Sequence, residues 1–118
     1  MLHKRGYWSV TPVSNPEELA TKLTEHTWTL CTGFSLGGYL FLNDSTSEDG
    51  AQEYAVVKPL RDGGFVQVES ITFGWCTKGR AFELIRKTLR GEYDAEAAFG
   101  RVKPNLEPPE GHRCPYCA

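Results

Sequence analysis

The sequence predicts a two-layer α+β domain: an antiparallel four-stranded meander sheet with an N-terminal and a C-terminal helix, then an extended C-terminal tail. Three observations lead there. Between Phe65 and Trp75 the chain alternates in period two, with Phe65, Gln67, Glu69, Ile71, Phe73 and Trp75 on one side of a strand. From Thr77 the period becomes helical, and Ala81, Phe82, Leu84, Ile85, Thr88 and Leu89 form one apolar stripe. The other apolar runs are short and joined by glycine-containing turns. That favours antiparallel neighbours, because parallel strands need long crossovers.

The elements follow in order. Asn15-Pro16-Glu17-Glu18 starts a helix: Asn15 caps, Pro16 suits the first turn, and Glu18 stands three residues on as in a capping box. Leu19, Ala20 and Leu23 make its buried stripe, and it should end near His26. Tyr7 and Trp8, ahead of it, can pack on the sheet or line a pocket. Strands are expected over 27–32, 38–43, 53–58 and 65–75, with turns at 33–37 and 59–64 and an acidic loop at 44–50. Thr77 caps the second helix, and Gly91 suits the left-handed position that ends it. Pro104, Pro108 and Pro109 then force an extended path. The organisation is one domain over 1–99 and a Pro-rich tail over 100–118 ending in Cys-x-x-Cys.

At 118 residues, a chain with 40% hydrophobic and 24% charged residues can bury a core without staples. No apolar run approaches a membrane span, and the basic N-terminus lacks the apolar core of a signal peptide. The expectation is a cytoplasmic protein with reduced thiols and no membrane partner. The formal net charge of −2 hides an asymmetry. Residues 77–90 carry Lys78, Arg80, Arg86, Lys87 and Arg90 against Glu83 alone. That run reads as a solvated helix face, or as a patch for nucleic acid or an acidic partner. No aromatic ladder accompanies it, which argues against single-stranded nucleic acid.

Two short motifs bear on chemistry. Gly33-Phe34-Ser35-Leu36-Gly37 is a G-x-S-x-G match that resembles the nucleophile elbow of α/β-hydrolases. That resemblance would make Ser35 a nucleophile and the Leu36 amide an oxyanion donor, with His112 the only histidine after it. The elbow requires a helix to follow, whereas here Leu42 is followed by Asn43-Asp44-Ser45-Thr46-Ser47. The alternative is a glycine-rich hairpin turn whose glycines serve backbone geometry.

The second motif is Cys114-Pro115-Tyr116-Cys117. It looks like the dithiol of glutaredoxins, which would make Cys114 a redox nucleophile; only Ala118 follows, however, so no helix can lower the thiol pKa. It also looks like half of a zinc knuckle, in which two sulfurs two residues apart reach one metal. His112 could add a nitrogen, and Cys76 is the first candidate for the fourth ligand, with Cys31, His3 and His26 as others. A second chain could instead supply another Cys114–Cys117 pair and so form a dimer through the tail. The alternative is a tail with two idle thiols.

The function these readings favour is a small non-enzymatic binding or adaptor protein for another protein, its tail ordered by zinc through His112, Cys114, Cys117 and Cys76. The alternatives are an enzyme, using Ser35 as a hydrolase or Cys114 as a thiol oxidoreductase, and a nucleic-acid binder using helix 77–90.

Overall fold

The computed structural model describes residues 7–24, 32–46, 52–73, 77–93 and 99–106. Among them lie β1 (Ser9–Pro12), α1 (Pro16–Leu23), β2 (Thr32–Leu36), β3 (Tyr39–Thr46), β4 (Gln52–Pro59), β5 (Phe65–Thr72), α2 (Lys78–Leu89) and β6 (Arg101–Val102). The α+β class is as expected, but the sheet is larger than the predicted four-stranded meander. Its six strands among the described residues stand in the order β1-β2-β3-β4-β5-β6. The meander is its centre, β2 to β5, all antiparallel. β1 adds to one edge in parallel, Ser9 opposite Thr32, because α1 lies in the crossover between the two strands. β6 adds to the other edge, Phe65 opposite Val102. Both additions are short, and β1 ends in a proline, so neither carries a periodic signal.

The helix starts follow the expected chemistry. Asn15 Oδ1 accepts from the Glu18 amide at 2.8 Å, and Glu18 reaches back to the Ser14 amide at 2.8 Å, one residue beyond the cap. Thr77 Oγ1 accepts from the Arg80 amide at 3.1 Å, and Gly91 takes φ 75° just past the end of α2. α1 stops at Leu23, with Thr24 as its cap, earlier than the expected end near His26.

Each face of the sheet has its own core. On the helix side, Leu19, Ala20, Leu23, Ala81 and Ile85 pack on Phe34, Phe41, Tyr54, Val56, Ile71 and Phe73. On the other side, Trp8, Leu42, Ala55 and Val57 are buried together, joined by Val10, Leu40, Phe65, Val102 and Leu106. Two bulges decide which residue faces which core. In β5 the register steps from Val56–Glu69 to Val57–Gln67, leaving Val68 as the extra residue. The predicted single face running from Phe65 to Phe73 is therefore split. Phe65 packs in the second core, while Val68, Ile71 and Phe73 pack under the helices. A second step between Asn43 and Ser45 leaves Asp44 as the extra residue in β3. Bulges increase local twist and let a sheet curl.

The curl can be bounded. A flat six-stranded sheet would hold its outer strands about 24 Å apart. Yet the Asn105 carbonyl accepts from the Trp8 amide at 2.9 Å, with Trp8 directly before β1 and Asn105 three residues after β6. Three residues of chain span only about 11 Å. The sheet must therefore bend its two edges towards each other around the second core. Trp8 closes this seam from inside: it is 3% exposed, and its indole Nε1 donates to the Asn43 carbonyl at 3.0 Å. Residues 101–106, read from sequence as the start of a tail, include β6 and the buried Pro104.

Of the turn expected at 33–37, residues 33–36 are instead strand and only Gly37 belongs to the turn. The hairpin bends only at Gly37 and Gly38, with φ 60° and 83°, a two-residue turn between Leu36 and Tyr39. Gly33 is a glycine for another reason. A Cβ there would sit 2.8 Å from Leu42 Cδ2 and 3.3 Å from Val10 Cγ2, both on neighbouring strands. Replacing Gly33 with valine should cost about 1–3 kcal/mol by overpacking. Urea unfolding should show a lower midpoint with an unchanged slope; an unchanged midpoint would mean that the inner face is not tightly packed there.

Candidate functional site

Ser35 lies inside β2, paired with Leu40 on β3 and with Pro12 on β1. Its own carbonyl accepts from the Val13 amide at 3.0 Å. A nucleophile elbow sets its serine at a sharp strand-to-helix turn. Here the strand runs on to Leu36, and a β-strand follows the turn. The local geometry is that of the hairpin alternative. His112, the expected partner of Ser35, lies outside the described residues.

The cations of α2 are dispersed among local partners. Lys78 stands 3.9 Å from Glu17, Arg80 3.4 Å from Glu83, and Arg90 2.6 Å from Glu92. Arg86 lies over the Phe82 ring, 5.6 Å from its centroid. Exposed pairs of this kind add little stability, but they shrink the positive field that a polyanion would feel. Lys87 lines a cleft of ≈ 330 Å³ between β5 and the second half of α2. Glu69, Ile71, Leu84, Thr88 and Glu92 are among the other residues that line it. Glu69 Oε1 accepts from the Ser70 amide at 3.1 Å, so the side chain blocks part of the β5 backbone beside the cleft.

Two buried polar groupings escaped the sequence reading. Asn43 is fully buried beneath the helices, and its Nδ2 donates to Gln52 Oε1 at 2.7 Å. Tyr54, opposite Asn43, stacks edge-on against Phe73 with centroids 5.9 Å apart. The Tyr54 hydroxyl and Asn43 Oδ1 have no hydrogen-bond partner of good geometry among the described residues. The second grouping is Tyr39 with Tyr93, whose hydroxyls lie 3.1 Å apart and whose rings meet edge-on. It ties the start of β3 to the chain just after α2. No spacing in the sequence links these residues; the sheet register and helix packing bring them together.

All four cysteines and all three histidines of the chain lie outside the described residues, so the expected ligands His112, Cys114, Cys117 and Cys76 do too, as do Cys31, His3 and His26. Among the described residues no group of His, Cys, Asp or Glu side chains is placed to hold a metal, and no helix is long and apolar enough to cross a membrane. What the structure defines is the root of the tail. Pro104 is buried, Leu106 packs on the second core, and Asn105 is tied to Trp8. The Cys-x-x-Cys motif therefore starts nine residues beyond a fixed point on the domain.

No protein-family model, curated protein or solved structure matches this chain. The fold and site define a class only in coarse terms, an α+β domain with a curled, mostly antiparallel sheet and a C-terminal segment fastened across its seam.

The buried tyrosines set an alkaline limit. Burial, then the hydrogen bond to Tyr93, then the charge of Tyr93 push the Tyr39 pKa from 10.0 up to about 12. Burial pushes Tyr54 further still, partly offset by Asn43. A tyrosine that resists ionisation in the folded state contributes stability that is complete below its unfolded pKa and is lost as pH rises towards the folded one. Thermal unfolding should therefore be flat in this respect up to about pH 10 and fall steeply from there to about pH 12. Tyr39→Phe should make that fall shallower. An alkaline limb identical in Tyr39→Phe and wild type would show that Tyr39 does not contribute.

Proposed function

We propose that this is a small non-enzymatic binding protein for a protein partner, working in the cytoplasm, whose C-terminal tail is ordered by zinc bound to His112, Cys114 and Cys117. The observation that carries the reading is the fastening of the tail at Asn105 and Pro104. A short segment anchored at a fixed root loses less entropy on being ordered than a free one, so a few metal bonds suffice to fix it. Two thiolates and an imidazole within six residues suit zinc in donor type and spacing. Reduced cytoplasmic thiols keep them available. The position of Ser35 within a hairpin strand and the local pairing of the α2 cations support binding to protein over the hydrolase and nucleic-acid alternatives.

The test is elemental analysis of untagged protein purified without chelator, beside a Cys114→Ser, Cys117→Ser double variant. The reading predicts one zinc per chain in wild type and none in the variant. Half a zinc per chain would indicate a site shared by two tails. Wild-type protein free of metal would refute the zinc-ordered tail. Covalent labelling of Ser35 by a fluorophosphonate would refute the non-enzymatic reading.

A further inference from the structure

We propose that the surface formed by Lys58, Val66, Arg101 and Lys103 docks an acidic segment of the protein partner, in which carboxylates flank an apolar side chain. The inference rests on the protein-binding reading above and gives the partner its chemistry. It moves the basic surface from α2, where the sequence concentrates charge, to the β6 edge of the sheet.

The register builds this surface. Val66 in β5 stands opposite Lys58 in β4 and opposite Arg101 in β6. Residues directly opposite one another share a face of the sheet. Phe65 and Val102, their neighbours along the strands, pack in the second core, so Lys58, Val66 and Arg101 face the other way. Lys103 lies between Val102 and the buried Pro104 and is exposed, as are Lys58 and Arg101. Neighbouring strands lie about 4.8 Å apart, so the backbones of Lys58 and Arg101 are about 10 Å apart, with the half-buried Val66 between them. Arg61, also exposed, stands in the turn between β4 and β5. Within 58–66 and 100–106 these four cations meet one acid, Asp62.

Asp62 holds Arg101 in place without saturating it. Asp62 Oδ2 accepts from Arg101 Nη2 at 2.9 Å, and Asp62 Oδ1 accepts from the Gly64 amide at 2.9 Å. A Cβ on Gly64 would sit 2.8 Å from Arg101 Nη1, so the bare glycine lets the guanidinium lie on the turn. A guanidinium has five donors, and one bond to Asp62 leaves others for a second carboxylate. Lys58, Arg61 and Lys103 have no acidic partner among the described residues, whereas Lys78, Arg80 and Arg90 on α2 each have one.

Val66 decides between polyanions. Phosphates would engage the cations and leave the valine without an apolar partner. An extended peptide can serve both, because side chains two positions apart share one face at about 7 Å. A sequence acid-x-apolar-x-acid lying across the strands sets one carboxylate towards Lys58, the apolar side chain on Val66 and the other carboxylate towards Arg101.

The test is fluorescence anisotropy with the full-length protein and a labelled peptide of repeated Glu-Ser-Val-Ser. Lys58→Gln combined with Lys103→Gln should weaken binding at least about fivefold, since exposed pairs are worth up to several-fold each. Lys58→Glu combined with Lys103→Glu should weaken it further. Arg86→Gln combined with Lys87→Gln on α2 should leave it unchanged. Exchanging the peptide's valines for serine should weaken it as well. Binding as tight in both Lys58, Lys103 variants as in wild type would overturn the docking surface and leave the protein-binding reading intact. Equal binding of the all-serine peptide would overturn the acidic–apolar partner. Duplex DNA that binds and is weakened in the same variants, with the peptide not binding, would overturn both this inference and the protein-partner reading. Binding of neither probe would overturn this inference alone.

Discussion

The fold depends on one residue, Trp8, and its two hydrogen bonds, one from the backbone and one from the side chain. Trp8 lies inside the bend of the sheet, its amide held by the Asn105 carbonyl and its indole nitrogen by the Asn43 carbonyl. A buried tryptophan contributes a large apolar area, but its N–H must find a partner. Here that requirement fixes the ring against the middle of β3. The backbone bond fixes the segment after β6 beside the segment before β1. Without this closure the inner face, with Leu42, Ala55 and Val57, would lie open to water, and β6 would hold on through two residue pairs, the Gln67–Gly100 backbone bond and the exposed Arg101–Asp62 ion pair. The helices stabilise the outer face by ordinary packing of two amphipathic stripes. Among the described residues the inner face is covered by no helix and relies on Trp8 and the segment from Val102 to Leu106.

This arrangement explains why part of the fold was legible in the sequence. α1 and α2 carry caps, stripes and stops that act locally, and they form nearly where those signals stand. β4 and β5 begin close to their predicted positions for a similar reason, since both have long apolar or alternating runs. The misses are non-local. β1 and β6 are too short to show a period, and they are strands because an edge is there to receive them. The bulge at Val68 is invisible in the alternation of residues 65–73, because every residue keeps its place in sequence while half of them change sides. Gly33 reads as a turn residue and is a packing residue, since its neighbours Leu42 and Val10 come from other strands.

The candidate site was legible in composition and not in place. Cys114, Cys117 and His112 match a metal-ligand pattern in residue type and spacing, which is the proposal made above. Where that chemistry would sit depends on how the tail leaves the domain, and that depends on Trp8. Tyr7 and Trp8 could be recognised as packing residues, but no pattern in the chain joins Trp8 to Asn105, ninety-seven positions away. The G-x-S-x-G match illustrates the converse: Ser35 has the right neighbours in sequence, and the register with Leu40 puts it in a strand. Short motifs carry chemistry only when the backbone around them supplies the geometry.

The central claim is that the seam between Trp8 and Asn105 closes the sheet and roots the tail. Native-state amide hydrogen exchange at Trp8, read residue by residue in the full-length protein, tests it most directly. An amide locked in that bond should exchange as slowly as those of Val56 and Val57 in the central strand, because it opens only when the sheet does. Exchange at Trp8 near the rate of an unprotected amide, with Val56 and Val57 still protected, would mean that the sheet stands without its seam.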